Sequence, residues 1–335
     1  MWCRLVGFSE LYTGISFCTA ALTSSAYIVN EKKESGDWEC HLFTIGTCTW
    51  GELGTGKAID NFSTLVSNVL PGKAISFAAG THHYVIVLED GSVYGWGKTR
   101  GGQLGSSYRT LLLTPTKLDI PLDLEVAHVV CGNDFTFLYN SPQEGGYLLL
   151  GKDKHGIAAS LPSSIAQWKC VCATWHAVFI LLQNGQLIAA GKQNQWKLVP
   201  DNLPPLVEIT TGNEHVLART GDGRVLAWGW GDDGNCGDLS KMEPPTTGNF
   251  VSGRWSEITG IPGDICLLGA GANTSFVATW VDEGGAPDPK DRIEPVFEDQ
   301  PPRSIDPSNQ EDRPRREKDI MKTLSTGKLG QLSRK

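Results

Sequence analysis

The sequence predicts an all-β protein, a β-propeller of six to seven four-stranded blades. One pattern of residue types recurs along the chain: a Gly with polar neighbours, an apolar run, a turn, a second apolar run that ends in Gly, and a Gly-rich loop. The Gly after the second run stands at positions 46, 97, 151, 191 and 231, in steps of 51, 54, 40 and 40 residues. Steps of this length are typical of a propeller blade. Because no apolar period of 3.6 residues lies between the runs, a propeller is favoured over a helical solenoid.

The two clearest copies of the pattern are residues 212–237, GNEHVLARTGDGRVLAWGWGDDGNCG, and residues 80–105. In both, two β-rich runs flank an Asp-Gly pair, at Asp222-Gly223 and Asp90-Gly91. An Asp-Gly pair supplies the positive φ angles of a tight primed turn, so each copy predicts a β-hairpin. Four weaker copies follow the same order, and the last is only a half copy: residues 43–54, 131–151, 174–191 and 271–276.

Length and composition favour one large domain with a tail. Residues 1–282 carry the repeats and are predicted to form the propeller, whereas residues 283–335 are Pro-rich and charge-dense and are predicted to be disordered. No apolar stretch approaches the ~18 residues of a membrane span, so no membrane association is expected. The first residues lack the features of a secretory signal. We therefore expect a cytoplasmic protein, present also in the nucleus, with its nine cysteines mostly reduced.

The net charge of −8 is concentrated in the predicted propeller. The tail from Glu283 carries 11 basic and 11 acidic residues, which leaves 18 basic and 26 acidic residues of the totals of 29 and 37 for the rest. An acidic ring repels phosphate backbones, so direct nucleic-acid binding is not expected. A basic or metal-bearing protein partner suits this field better.

No catalytic site is predicted. The sequence contains no Ser-His-Asp order, no GxSxG elbow and no HExxH motif. His83, His176 and His215 fall at what we interpret as the same place in successive repeats, which indicates an architectural role. The Cys170-Cys172 pair lies in a strand-like run and is interpreted as core thiols, with a metal or redox site as the alternative. We therefore predict no enzyme activity, no cofactor and no metal.

A partner-binding surface is predicted around the most complete repeat. Trp228 is explained by blade packing, but the second tryptophan of the pair, Trp230, precedes a Gly-rich acidic loop. Large aromatic residues beside carboxylates suit protein docking, because Trp supplies buried area and Asp orients a basic partner. The alternative is a packed loop tryptophan. The predicted partner-binding residues are Trp228, Trp230, Asp232, Asp233, Asn235 and, if neighbouring loops converge, Trp175, His176 and Trp196.

The repeat, with its G-x-x-H start, its WG and the GQLG of residues 102–105, resembles the regulator-of-chromosome-condensation propeller repeat over about residues 15–282. The stretch WGWGDDGNCG at 228–237 resembles WGWGxxGNCG of the fungal alpha-tubulin-suppressor, or killer-toxin-insensitivity, subfamily. That resemblance implies a non-enzymatic adaptor. Its implied partner is a small CSL-type zinc/iron protein that donates electrons in diphthamide synthesis on elongation factor 2. It also implies a role with Elongator, a further expected partner, in modification of tRNA wobble uridines.

Two alternatives stay open at this point. The broad family also implies a guanine-nucleotide exchange factor for a Ran-like GTPase, which would use an acidic face.

The family is described with seven blades, whereas six repeat units are recognisable in this sequence. Either the closing strand, for which the N-terminus offers only Cys3 to Gly7, has diverged, or the chain begins after the family's first blade would start. The second explanation is favoured, and it predicts an open sheet edge.

Overall fold

The computed structural model describes residues 14–107, 110–246 and 248–280, and nearly all regular structure in them is antiparallel β. The strands form six sheets that follow one another along the chain. Their strand counts are four, four, three, three, four and two. The predicted all-β class is therefore confirmed. The predicted tail at 283–335 and the segment Cys3 to Gly7 lie outside the described residues.

Each sheet is built from strands that are consecutive in the sequence. The first contains β1 (Phe17–Ala20), β2 (Ser24–Lys32), β3 (Trp38–Cys48) and β4 (Asp60–Pro71). The second contains β5 (Ala74–Ala79), β6 (His83–Leu88), β7 (Val93–Gly97) and β8 (Leu112–Lys117). The third contains β9 (His128–Cys131), β10 (Phe135–Tyr139) and β11 (Tyr147–Gly151).

The remaining three sheets follow the same plan. The fourth contains β12 (Trp168–Ala173), β13 (Ala177–Leu182) and β14 (Leu187–Gly191). The fifth contains β15 (Leu206–Thr211), β16 (His215–Thr220), β17 (Val225–Trp230) and β18 (Phe250–Ile258). The sixth contains β19 (Asp264–Ala270) and β20 (Ser275–Trp280). One helical turn, α1 (Ile157–Ser160), and a 3-10 turn (Leu239–Lys241) are the helices of the described residues, and neither is long enough to cross a bilayer.

The first strand of every sheet lines a central channel. Residues from β1, β5, β9, β12, β15 and β19 and from the turns that follow them enclose a cavity of about 450 Å³. Main-chain hydrogen bonds join these turns from one sheet to the next. The amide of Leu22 donates to the carbonyl of Thr81, and the amide of Asn133 donates to Trp175. The amide of Trp175 donates in turn to Asn213. The sheets are therefore held around the channel by backbone contacts.

Strand register defines the equivalent positions of the repeat. The first residue of the second strand pairs with the last Gly of the third strand in the first five sheets, in the pairs Ser24↔Gly46, His83↔Gly97, Phe135↔Gly151, Ala177↔Gly191 and His215↔Gly229. Two interpretations from the sequence are thereby corrected. Gly229, not Gly231, is the equivalent of the earlier glycines, and only Gly229 of the two has a positive φ. His176 is not the equivalent of His83 and His215, because Ala177 occupies that position.

The hairpin turns differ from the predicted type. The predicted hairpins are present, but four residues connect β6 to β7, and the amide of Leu88 bonds the carbonyl of Ser92. Gly91 has a φ of 79°, whereas Asp90 does not have a positive φ. A two-residue type I′ turn, the type that Asp-Gly favours, needs positive φ at both central residues, so this is a longer turn with one left-handed Gly. The Asp90 carboxylate instead accepts the Ser92 amide.

Buried aromatic and aliphatic side chains fill the space between sheets. Trp96 and Trp228 are fully buried, and the Trp96 ring stacks on Tyr84 at a centroid distance of 5.2 Å. An apolar residue from the loop after the third strand is buried in each of the first five sheets. These residues are Leu53, Leu104, Ile157, Trp196 and Cys236. The sixth sheet is more exposed, with Leu267, Phe276 and Trp280 all more than half accessible.

Candidate functional site

One end of the sheets carries the candidate site, and we call it the loop face. It is formed by the turns after the first strands and by the loops after the third strands, because antiparallel strands bring these two kinds of connection to the same end. The turns are residues 80–82, 132–134, 174–176 and 212–214. The loops begin at residues 98, 152, 192 and 231. Every residue predicted to bind a partner lies on this face or directly beneath it.

The loop of the fifth sheet presents Trp230 with two carboxylates. The Trp230 ring is half-buried and packs edge-on against Phe250 at a centroid distance of 5.0 Å. Its indole N–H donates to Asp233 Oδ2 at 3.3 Å. Asp232 and Asp233 are exposed. We call Trp230, Asp232 and Asp233 the aromatic-acidic patch. A half-buried indole and two exposed carboxylates, one of which also accepts the indole N–H, are thus available to a partner.

Three of the predicted contact residues are buried, which corrects their assignment. Trp228 is 0% exposed, and its indole N–H donates to the carbonyl of Leu198 at 2.8 Å. Asn235 is 3% exposed, and its amide donates to the carbonyl of Trp230 at 2.7 Å. Trp196 is 5% exposed and stacks on Phe179. Asn235 and Trp196 close their own loops against their own blades, whereas Trp228 packs from β17 against the segment that follows the fourth sheet.

The sequence contained a signal for this burial. Asn235 occupies the position of Glu52 and Gln103 in the Gly-x-x-Gly loops, and both of those side chains accept amide hydrogens of their own loop. Trp196 takes the place of the leucines Leu53 and Leu104 of the other loops. A loop without the Gly-x-Leu-Gly close still needs an apolar residue to cover its blade, because a void there would lose packing contacts.

Trp175 and His176 are half-buried and lie beside the aromatic-acidic patch. The ring of His176 is 5.0 Å from the His155 ring and its Nε2 is 3.9 Å from Glu214 Oε1. The carbonyl of Glu214 accepts the amide of Trp230 at 2.8 Å. Glu214 therefore contacts both His176 and Trp230, and so links the two groups of loop residues that the sequence predicted to converge.

A group of cations on the same face was not predicted. Lys98, Lys152 and Lys192 each follow the last Gly of the third strand, in the second, third and fourth sheets. With Arg100 and Lys154 they form a set that we call the basic crescent. Lys98 and Lys154 share Asp134, at 3.1 and 3.4 Å, whereas Lys152, Lys192 and Arg100 have no carboxylate within 4.0 Å in the described residues. The repeated Gly-Lys dipeptide was the available signal, and the overall negative charge concealed it.

Trp50 orders one end of the basic crescent. The Lys98 ammonium lies 5.6 Å and the Arg100 guanidinium 5.4 Å from the centre of its ring, which are cation–π distances. The Trp50 amide donates to the carboxylate of Glu52, which also contacts His82 Nδ1 at 2.7 Å. The loop of the first sheet is thereby fixed beside the cations of the second.

His83 and His215 have structural roles. Burial lowers the pKa of His83 to about 3 and that of His215 to about 4. Each ring bonds a hydroxyl of the next sheet, His83 Nε2 with Thr136 at 3.0 Å and His215 Nε2 with Ser275 at 3.1 Å. The hydroxyls donate to the carbonyls of Gln103 and Asn235, so each Nε2 is the donor of its bond. Both rings are neutral at pH 7 and join one blade to the next.

The Cys170-Cys172 pair lies within the fold. Its sulfur atoms are 3.5 Å apart and both approach the carbonyl of Ile209. The hydrogen bond between the thiols lowers the pKa of Cys170 and raises that of Cys172. In the described part of the chain, no three His, Cys, Asp or Glu side chains converge as metal ligands.

Comparisons with known proteins bear on the repeat and on the fold. Residues 90–139, and separately residues 74–103 and 206–235, match repeats described as regulator of chromosome condensation (RCC1) repeats. An RCC1 repeat-containing protein of Schizosaccharomyces pombe is 28% identical over 242 residues, which are 68% of this chain and 64% of that protein. The chain thus spans slightly less than two thirds of this relative's length.

Solved structures give the fold. Human WBSCR16 superposes with a TM-score of 0.62 at 15% identity, covering 80% of this chain and 72% of that one. Prp20p from Saccharomyces cerevisiae superposes with a TM-score of 0.60 at 18% identity, covering 80% of this chain and 70% of that one. Together with the register of the sheets around one channel, these matches confirm the predicted fold, an RCC1-type β-propeller in which residues 74–139 and 206–235 match the RCC1 repeat.

Proposed function

We propose that this propeller is a non-enzymatic adaptor that binds a small CSL-type zinc/iron protein. Through that partner it would support diphthamide synthesis on elongation factor 2 and Elongator-dependent modification of tRNA wobble uridines. The observation that supports the proposal is the aromatic-acidic patch, where Trp230 is held by Phe250 while Asp232 and Asp233 stay exposed. The ten-residue resemblance at 228–237 to the fungal alpha-tubulin-suppressor subfamily coincides with this patch.

The patch has the properties of a small docking site. A half-buried indole can lose its remaining water contacts to a partner without a large rearrangement, because its ring is already fixed. Exposed carboxylates next to it favour a basic or metal-bearing surface and exclude an acidic one. Glu214 and His176 extend the same surface into the fourth sheet. The adaptor would therefore contact its partner through the loops of two neighbouring blades.

A binding measurement with purified proteins tests the proposal. The propeller would be immobilised and titrated with a recombinant, metal-loaded CSL-type protein, with Trp230→Ala as the test variant. Trp38→Ala is the matched control, since Trp38 begins β3 at the opposite end of its sheet. We expect wild-type and Trp38→Ala proteins to bind equally and Trp230→Ala to bind at least about tenfold more weakly. Absence of binding by the wild-type protein would contradict the proposal.

A guanine-nucleotide exchange factor is the second candidate, favoured by the likeness in fold to Prp20p, whose binding to Gsp1p and histones is described with its structure. The two candidates predict different activities of the same purified protein. Exchange would be measured as release of a labelled nucleotide from a Ran-like GTPase. Accelerated release, together with no binding of a CSL-type protein, would replace the first proposal by the second.

A further inference from the structure

The basic crescent is a surplus of positive charge on a protein whose net charge is −8. Five cations, Lys98, Arg100, Lys152, Lys154 and Lys192, lie on the loop face of three consecutive sheets. In the described residues, two of these cations have a carboxylate partner: Lys98 and Lys154 both pair with Asp134. Asp153 is also nearby, but its carboxylate accepts the amides of Ile157 and Ala158 at the start of α1. The cations therefore exceed the carboxylates available to neutralise them.

A small cavity lies within the crescent. It has a volume of about 90 Å³, and its lining combines two lysines, one carboxylate, four residues with rings and two further residues: Lys152, Lys154, Asp134, Phe135, His155, Trp175, His176, Asn133 and Ile157. A water molecule occupies about 30 Å³ of the liquid, so the cavity has room for one carboxylate-sized group. Burial lowers the pKa of His155, and the positive charges of Lys192 and Lys154 lower it further. Asp134 is already paired with Lys98 and Lys154, so Lys152 is the lysine of this lining that has no carboxylate within 4.0 Å in the described residues.

The arrangement selects among anionic ligands. The cations are spread over three blades instead of converging on one point, which suits an extended ligand with several separate charges. A nucleic-acid strand would present phosphates beyond the crescent, where the aromatic-acidic patch of the next blade, with Asp232 and Asp233, would repel them. A protein segment can carry its carboxylates over three blades and be neutral or basic beyond them.

We propose that the basic crescent binds an acidic segment of a partner protein, with one carboxylate of that segment at the cavity beside Lys152, which has no carboxylate partner in the described residues. Lys98 and Arg100, held over Trp50, contact carboxylates at one end of the segment. Lys192 contacts them at the other end. The inference goes beyond the adaptor proposal, because it concerns different residues and a partner of opposite charge.

Fluorescence anisotropy tests it with a defined probe, a fluorescein-labelled peptide of alternating Glu and Ser residues. The test variant is Lys152→Glu/Lys192→Glu, and the control is Lys169→Glu, whose lysine is exposed near the start of β12 at the opposite end of the sheet. We expect the wild-type protein to bind the peptide. The double variant should bind at least about tenfold more weakly, and Lys169→Glu should bind like the wild type. Added salt should weaken wild-type binding.

Several results would overturn the inference. They are no peptide binding by the wild-type protein, equal binding by the double variant, or an equal loss in Lys169→Glu, which would indicate only a change in net charge. Tighter binding of a single-stranded RNA of equal charge, with displacement of the peptide, would assign the crescent to nucleic acid instead. If the double variant does not fold, Lys152→Gln/Lys192→Gln takes its place. The double variant should still bind the CSL-type protein as the wild type does. This second measurement distinguishes failure of the present inference from failure of the adaptor proposal.

Discussion

Acidification from pH 7 to pH 5 should destabilise this propeller through His83 and His215. Both are fully buried and neutral, with pKa values lowered to about 3 and about 4 from the usual 6.5. The second ring nitrogen, Nδ1, has no hydrogen-bond partner for either ring in the described residues. A proton added there would be buried without an acceptor, which explains why the folded state resists protonation.

The sign and the magnitude follow from proton linkage. Between pH 6.5 and the lowered pKa values the unfolded chain binds more protons than the folded one, so stability falls as the pH falls. For each histidine the loss between pH 7 and pH 5 is about 2 kcal/mol, and the loss for both is about 4 kcal/mol. Such a loss is a large part of the stability of an ordinary domain.

The assay is urea unfolding at pH 7, 6 and 5 for the wild type and for His83→Phe/His215→Phe. Phe is the natural choice, because Phe135 already occupies the equivalent position in the third sheet and its ring lies against Gly132 as His83 does against Gly80. Carboxylates and the other histidines titrate in both proteins and cancel in the difference. We expect the double variant to lose about 4 kcal/mol less between pH 7 and pH 5. Equal pH dependence of the two proteins would refute the reasoning.

Two substitutions test the packing around the fifth sheet by thermal or urea unfolding. A Cβ at Gly212 would lie 2.1 Å from Cε1 of His215, so Gly212→Ala should cost about 3 kcal/mol or more, while Gly221→Ala, whose Cβ meets its nearest neighbour at 3.8 Å, should cost about 1 kcal/mol or less. Similar costs for the two variants would contradict the steric account. Trp228→Phe removes the hydrogen bond to Leu198 and should cost about 1 to 3 kcal/mol; an unchanged midpoint would show that the buried carbonyl finds another donor.

The fold was predictable because its signals are local and repeated. Gly97 and Gly151 mark the ends of third strands, and both have the positive φ that favours Gly. The turn type was not predictable from Asp90-Gly91, since the same dipeptide serves a two-residue primed turn and a longer turn with one left-handed residue. Strand register decides between them, and register depends on pairing along the whole hairpin.

The outer strands of the sheets were harder to predict from the sequence than the hairpins. Residues 238–260 are rich in Pro, Thr, Gly and Ser, a composition typical of a loop, yet they contain β18, the fourth strand of the fifth sheet. An outer strand is covered on fewer sides, so its sequence carries less apolar alternation. The third and fourth sheets have three strands each in the described residues.

The candidate site was predictable in place but not in its exposed side chains. Trp230, Asp232 and Asp233 lie at the surface as the sequence indicated, whereas Trp228 and Trp196 are inside. Residue type cannot distinguish these tryptophans, because burial depends on which side of the loop meets the blade. The basic crescent was missed because a net charge averages over the whole chain, while a surface potential depends on a few residues that the repeat brings together.

The backbone bonds between successive turns at the channel mouth have an evolutionary consequence. The residues that exchange them include Leu22, Thr81, Asn133, Trp175 and Asn213, whose side chains range from aliphatic and hydroxyl to amide and aromatic. Because the donors and acceptors are amides and carbonyls, any residue except a proline at a donor position preserves them. The spacing between blades therefore does not depend on which side chains the turns at the channel mouth carry. Such a molecule can acquire new binding specificities by drift at its rim without losing its architecture.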